Sequence, residues 1–234
     1  MYNLAFYTCF YGGNNNKAFK IPEIPSLKYK CYYFTNNKII LNRLQNTKWI
    51  GIFDNKQIME NNDNDNDNAI VSCMASKHVK VCPQEYNELK QYDYLCYLDS
   101  KLKKVNENFL EKYIHKFFIE NNFALLLRRH WFVEPNIWSE YNQSMKQPRY
   151  QKQSRQYTKY INKQIKNGLL EKTYYHCCTG LLIRNMKHPK MIDINNTWYQ
   201  HIQECGIQCQ ISFFFVKQLF KGYIYPFTEI PFTK

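Results

Sequence analysis

The sequence predicts an α/β fold, a single domain on an open sheet covered by helices, and three stretches predict it. Tyr94 to Leu98 is an unbroken apolar and aromatic run between the polar approach Tyr92-Asp93 and the exit Asp99-Ser100-Lys101. A strand buried on both faces of a sheet reads this way. Leu4 to Phe10 is a second such run, rich in aromatics and broken at once by Tyr11-Gly12-Gly13. Between Asn106 and Ile119, the residues Phe109, Leu110, Tyr113, Ile114, Phe117 and Phe118 recur at helical spacing and make one apolar stripe suited to covering a sheet. Asp99 then arrives at the carboxyl end of a strand, and ligands of open α/β sheets occupy the crevice beyond those ends. A turn or helix-cap role is the competing reading of Asp99.

The other elements follow along the chain. Pro22-Glu23-Ile24-Pro25 is an extended connector, Tyr29 to Thr35 the second strand and Trp49 to Phe53 a short third. Asn61 to Asn68 alternates Asn with Asp. Asp63, Asp65 and Asp67 imitate the opening of a calcium loop, but Asn68 stands where that loop needs Gly and Met74 where it needs Glu, so a flexible polar loop is expected. Ala69 to Ala75 has helical character, and Lys77 to Pro83 follows as a basic segment. Phe123 to Leu127 reads as a strand that delivers Arg128, Arg129 and His130. Trp138 to Tyr160 is helical in part and interrupted at Pro148. Thr173 to Thr179 is expected as a loop leading into a strand from Gly180 to Arg184. Pro189 to Cys205 and Gln208 to Phe220 read as two helices separated at Gly206.

Composition narrows the function. The 234 residues, 17% of them aromatic, suffice for one sizeable core. The net charge of +13 is spread from Lys17 to Lys234 without a long run, which suits a groove for a phosphorylated small molecule better than a nucleic-acid surface. Nine cysteines leave one unpaired in any full pairing and read as reduced, mostly buried thiols. Met1 to Phe6 has no basic leader, and no window reaches the ~20 apolar residues of a membrane span, so a cytoplasmic location is expected.

Several chemistries can be weighed on spacing. The strand running into Gly12-Gly13 lacks both a G-x-G-x-x-G continuation and a phosphate-loop Lys-Ser/Thr. What remains is a backbone able to pass close to a flat ligand, with Thr8 and Tyr11 beside it. Lys77, His78 and Lys80 can reach anionic oxygens as point charges, or belong to a solvated surface. His201, Cys205 and Cys209 share a helical face, but Gly206 and the missing fourth ligand argue against zinc. Adjacent Cys177 and Cys178 read as packing in a tight loop. No G-x-S-x-G elbow is present. Asp99 fits a hard cation completed by substrate phosphates, with the surrounding basic residues stabilising a departing diphosphate.

Tyr92-Asp93-Tyr94 with Leu98-Asp99-Ser100-Lys101, the lead-in Lys80-Val81-Cys82-Pro83, Asn142 to Tyr150, and Trp198 to Phe213 together resemble a GT-A-type glycosyltransferase-like domain. The family is one formerly of unknown function, tied to plant mucilage and turgor-defect glycosyltransferases, with giant-virus and algal-virus relatives. The likeness spans most of the chain. It implies a Rossmann-like fold for nucleotide-diphospho-sugar transfer with a mostly parallel sheet. It implies Mn²⁺ or Mg²⁺, a nucleotide-diphosphate sugar with UDP-sugars first among donors, and a glycan or other hydroxyl acceptor. By the same matching, Asp99 is the metal ligand and catalytic carboxylate of a DxD-like motif flanked by Asp93 and Lys101. Thr8, Tyr11 and Gly12 would face the nucleoside, Lys77 and Lys80 the phosphates, and His176 and Gly180 the sugar. Two departures stand out. Lys101 occupies the second acidic position, and Gln208-Cys209-Gln210 stands where relatives read Gln-Asp-Gln. A free thiol with pKa near 8.5 does not replace a carboxylate at neutral pH, so position 209 is either a weakened catalytic contact, with Gln210 beside it, or structural. The rival functions are a sugar-nucleotide or glycan-binding relative without turnover, and a basic nucleic-acid-binding protein.

Overall fold

A computed structural model describes residues 2–12, 21–55, 65–99 and 104–232. Lys101 and residues 61–64 of the Asn/Asp tract lie outside the described residues. Seven strands form one sheet: β1 (Leu4–Phe10), β2 (Lys30–Thr35), β3 (Ile50–Phe53), β4 (Tyr94–Leu98), β5 (Leu125–Arg129), β6 (Cys177–Asn185) and β7 (Ile224–Phe227). Their order is β3-β2-β1-β4-β6-β5-β7, and only β6 runs antiparallel to its neighbours. The mostly parallel α/β sheet expected from the sequence is thus the observed one.

The side-chain alternation of the strands makes two cores. Leu95 and Tyr97 of β4 enter one face with Tyr7, Val79, Val81, Trp198 and Phe213, whereas Cys96 and Leu98 enter the other with Phe6, Leu110, Ile114 and Phe118. The first face is covered by α2 (Asp65–Val81), α7 (Met191–Cys205) and α8 (Cys209–Leu219). The second is covered by α1 (Lys38–Leu44) and α3 (Glu107–Tyr113), which continues as a π-helical turn over Ile114–Ile119. Three further helices, α4 (Ile137–Ser144), α5 (Pro148–Gln151) and α6 (Ser154–Lys166), build a third cluster outside α7 and α8. Helix α8 therefore buries Phe213 and Val216 toward the sheet and Ile211, Phe214 and Phe215 away from it, which is why it is apolar all round.

Several elements differ from expectation, among them β5, which runs Leu125–Arg129 and so contains Arg128 and Arg129. The helical stretch at 69–75 and the basic segment after it are one helix, α2, because nothing between Ala75 and Val81 breaks the backbone pattern. Strand β6 starts at Cys177, so Cys177 and Cys178 pair with Arg129 and Arg128 in the sheet instead of forming a loop. Helix α1 escaped the pattern reading because seven residues carry little periodicity; it is held by Asn37, whose side chain accepts from Ile39 N at 2.9 Å and Ile40 N at 3.1 Å. Strand β7 escaped it because Pro226 demotes the run, and β7 is an edge strand, where proline is tolerated. The break at Gly206 is as expected: its φ is +109°, and a Cβ there would lie 2.7 Å from Gln153 Oε1. No helix among the described residues is long and apolar enough to cross a membrane.

Candidate active site

A cavity of about 400 Å³ opens at the carboxyl edge of the sheet, between the ends of β1 and β4, one face of α2, the start of α8 and α5. Strand β4 delivers Asp99 to it. The Asp99 N–H donates to Gly180 O at 2.8 Å, and its Oδ1 accepts from the Tyr97 hydroxyl at 2.9 Å and lies 3.5 Å from Lys80 Nζ. The carboxylate side chain remains 46% exposed, while Lys80 is buried at 2%. Lys80 Nζ is also 3.4 Å from Thr179 Oγ1 and 5.0 Å above the Tyr97 ring. Thr179 reaches the cavity where the β5/β6 register slips between Leu127 and Arg128, a bulge that re-aims the strand.

Lys80 is held by its own backbone. Its carbonyl, at the end of α2, accepts from the Tyr7 hydroxyl and from Arg184 Nη2, both at 2.9 Å. Arg184 is fully buried and also donates to Tyr7 Oη at 2.7 Å and to Asn195 Oδ1 at 3.1 Å. A cation at a helix carboxyl terminus meets the negative end of the peptide dipoles, which supports both the helix end and the buried charge. One turn earlier, Lys77 faces the same cavity and makes no hydrogen bond or ion pair with another described residue. Burial disfavours its ammonium form, but Cys209, Asp99 and Tyr150 around it hold its pKa above the usual lysine value.

Cys209 begins α8, nearly buried, with its Sγ 3.4 Å from Thr179 Oγ1. Burial alone would push this thiol up. Lys77 and Lys80, joined by the Thr179 hydrogen bond, outweigh burial and the opposing Asp99 charge, so the thiol sits below its ordinary value. Cys205, the last residue of α7 before the Gly206 break, is pushed well above it by burial. The two ammonium groups thus favour the thiolate of residue 209 more than water would that of a free thiol.

Gln208 and Gln210 flank this cysteine and share a partner that the sequence reading missed. Glu140 of α4, 2% exposed, accepts through Oε1 from Gln208 Nε2 at 3.2 Å, Gln210 Nε2 at 3.1 Å and Ser144 Oγ at 3.1 Å. Its Oε2 lies 2.8 Å from His176 Nε2. Gln210 lines the cavity and its Oε1 accepts from Thr179 N at 3.4 Å. His176 does not reach the cavity; it is buried behind it, against Glu140, with the His130 ring parallel at 5.4 Å. The one local signal for Glu140 was its position between Ile137 and Ser144 on a helix face, and a glutamate on a buried face is too rare to be chosen without its partners.

The other expected residues divide. Tyr11 lines the cavity and donates its hydroxyl to the Asp54 carboxylate. Gly12 is pinned beside the end of β2, its N–H 3.2 Å from Asn36 Oδ1 and its carbonyl 3.3 Å from Asn37 Nδ2. Thr8 is buried, and its hydroxyl donates to Leu98 O at 2.6 Å, a tie between β1 and β4 rather than a cavity contact. Gly180 meets Asp99 through its carbonyl alone. Asp93 lies elsewhere: it precedes β4, roughly 20 Å from Asp99 at ~3.3 Å per residue, and pairs with Lys187 at 2.7 Å. His201 faces Tyr160, its Nδ1 2.6 Å from the hydroxyl, while Cys205 packs in the third cluster and Cys209 in the cavity, so these three do not gather around a metal.

No protein-family model matches the chain, and no curated protein matches it in sequence. Solved structures match its fold. The chain is similar to mouse xyloside xylosyltransferase 1 in its apo form, at 11% identity and a TM-score of 0.53, over 96% of this chain and 84% of that one. It is likewise similar to core-mannan synthase A from Aspergillus fumigatus in its Mn/GDP form, at 11% identity and a TM-score of 0.50, over 97% of this chain and 73% of that one. The fold is that of GT-A glycosyltransferases.

Proposed function

We propose that the chain is a glycosyltransferase that moves a sugar from a nucleotide-diphosphate donor, with a UDP-sugar first among candidates, to a glycan or other hydroxyl acceptor. The observation that carries this reading is the carboxyl-edge cavity of a GT-A fold in which Asp99 meets the cations Lys77 and Lys80. A diphosphate needs what this pairing offers: ammonium groups for its oxygens and a half-exposed carboxylate for a bridging cation.

Asp99 is the one carboxylate among the described residues lining the cavity, and its contacts with Tyr97 and Lys80 both fall on Oδ1. Asp99 would hold a Mn²⁺ or Mg²⁺ ion, since such cations commonly take one or two protein carboxylates and leave the rest of their shell to phosphate and water. When bound, the cation would neutralise charge on the departing diphosphate. Lys77 and Lys80 would share that task as the acceptor hydroxyl attacks the anomeric carbon and the bond to the diphosphate breaks. Tyr11 would border the nucleoside, and Gln210 and Cys209 the sugar side. Beyond the cavity, Trp131, Phe132 and Tyr174 are exposed after the same edge of the sheet, with Arg128 stacked 4.3 Å from Trp131. Flat apolar faces of this kind suit a pyranose acceptor.

The test is a thermal-shift panel of nucleoside diphosphates with and without Mn²⁺, followed by product analysis with the matching sugar donors. Stabilisation by one diphosphate plus Mn²⁺, with transfer or donor hydrolysis that Asp99→Ala abolishes, is the expected result. Turnover retained in that variant overturns the reading. A relative that binds without turning over is the second reading, favoured by Cys209 and by the single lining carboxylate; it is distinguished by stabilisation with no product.

A further inference from the structure

The end of α2 carries a second group of metal-binding residue types, away from the Asp99 cavity. His78 leaves α2 on a different face from Lys77 and Lys80, Cys82 follows one turn later, and the 3₁₀ turn Pro83–Glu85 brings Glu85 back beside them. A ring nitrogen of His78, the sulfur of Cys82 and a carboxylate oxygen of Glu85 all lie within 4.8 Å of one another. Bonds of ~2.0–2.3 Å to a tetrahedral zinc ion place its ligand atoms roughly 3.3–3.8 Å apart, so the set closes on an ion with a contraction of about 1 Å.

The imidazole is already oriented. His78 Nδ1 is 2.8 Å from the Tyr86 hydroxyl and Nε2 is 2.9 Å from Glu85 Oε2. With Nδ1–H donating to Tyr86, Nε2 is the nitrogen left to bind a cation beside the Glu85 carboxylate; with Tyr86 donating to Nδ1, an Nε2–H donates to Glu85 instead. An outer hydrogen bond on the non-ligating nitrogen is also how metal-binding histidines are usually fixed. Cys82 is 1% exposed, whereas the Glu85 side chain is 52% exposed beside a separate cavity of about 320 Å³ that Asp54 and Tyr86 also line. Nitrogen, sulfur and oxygen suit a borderline-soft ion, not the all-oxygen preference of magnesium or manganese.

We propose that His78, Cys82 and Glu85 form a three-ligand site for a zinc-class divalent cation, distinct from the Asp99 cavity, that ties the carboxyl end of α2 to the turn after it. Through α2, occupancy would steady the helix that carries Lys77 and Lys80. The site is independent of any glycosyl transfer. The full chain, stripped with a chelator, is titrated with Co²⁺ as a spectroscopic probe and then with Zn²⁺. One equivalent of Co²⁺ should give a near-ultraviolet thiolate-to-cobalt band that Zn²⁺ displaces, and Zn²⁺ should raise the melting temperature. Cys82→Ser should abolish the band, Glu85→Gln and His78→Gln should each weaken Co²⁺ binding by about tenfold or more, and Asp99→Ala should leave it unchanged. If Cys82→Ser does not fold, the two partly solvated ligands decide the matter by affinity. No thiolate band in the wild-type chain, an undiminished band in Cys82→Ser, or unchanged affinity in both other variants overturns the site.

Discussion

Lys80 and Arg184 are both buried cations, 1% and 0% exposed, yet they sit in environments of opposite character. Arg184 stands on the interior strand β6 with neutral oxygens at 2.7, 2.9 and 3.1 Å, so its donors are spent inside the protein. Lys80 has long polar contacts, 3.4 Å to Thr179 and 3.5 Å to Asp99, beside an open cavity and Lys77, which has no hydrogen-bond partner among the described residues. A satisfied buried cation is architecture; a loosely held one next to a second cation can still accept an anion. The two are also joined, since Arg184 holds the Lys80 carbonyl and thereby sets where the Lys80 side chain starts.

The sharpest break of this contrast is Arg184→Met. It strands Tyr7, Asn195 and the Lys80 carbonyl without the guanidinium, and urea unfolding should show a loss of about 3 kcal/mol or more. Asp99→Ala should behave oppositely: stability within about 1 kcal/mol of wild type, but loss of the stabilisation by a nucleoside diphosphate with Mn²⁺, about 2.7 kcal/mol at a hundredfold excess over Kd. Lys77→Met should also fold normally and weaken diphosphate binding by about 1.5 kcal/mol, read by calorimetry, the lower end for a charged hydrogen bond. If Arg184→Met and Lys77→Met lose the same property, the division between architecture and site fails.

Smaller effects refine it. Cys209, held low by the two lysines, should alkylate with iodoacetamide at a lower pH than Cys205, as read by peptide mass mapping. A bound diphosphate that takes over the lysines should slow that alkylation. The smallest effect concerns His130, whose pKa burial, with the neighbouring His176, pushes down to about 4. The unfolded ring takes its proton near 6.5, so between about pH 6.5 and 4 the unfolded state binds more protons. This contribution to stability is complete above that window and lost as pH falls through it. His130→Phe should flatten the slope of melting temperature against pH there.

The legible parts of the molecule were those written in short-range pattern. Strands β1 and β4 have the bounds their apolar runs imply, Leu4–Phe10 and Tyr94–Leu98, and Asp99 stands at the cavity because a strand carries it there. Lys77 and Lys80 share a helix face by spacing alone. The sequence did not disclose Glu140, which gathers Gln208, Gln210 and His176 across 36 to 70 residues, or the Arg184 bond to Lys80 O across 104. The spacing His78-x-x-x-Cys82-x-x-Glu85 is local, but the convergence of the three side chains depends on the turn Pro83–Glu85.

Taken alone, the sequence determined the α/β class, the central strand and the carboxylate beyond it, since periodicity and burial of apolar runs are local properties of the chain. Tertiary structure decided which polar groups are buried, where Asp93 ends up and what charge Cys209 feels. Those depend on partners far away in sequence, and the energy of a charge is set by everything packed around it.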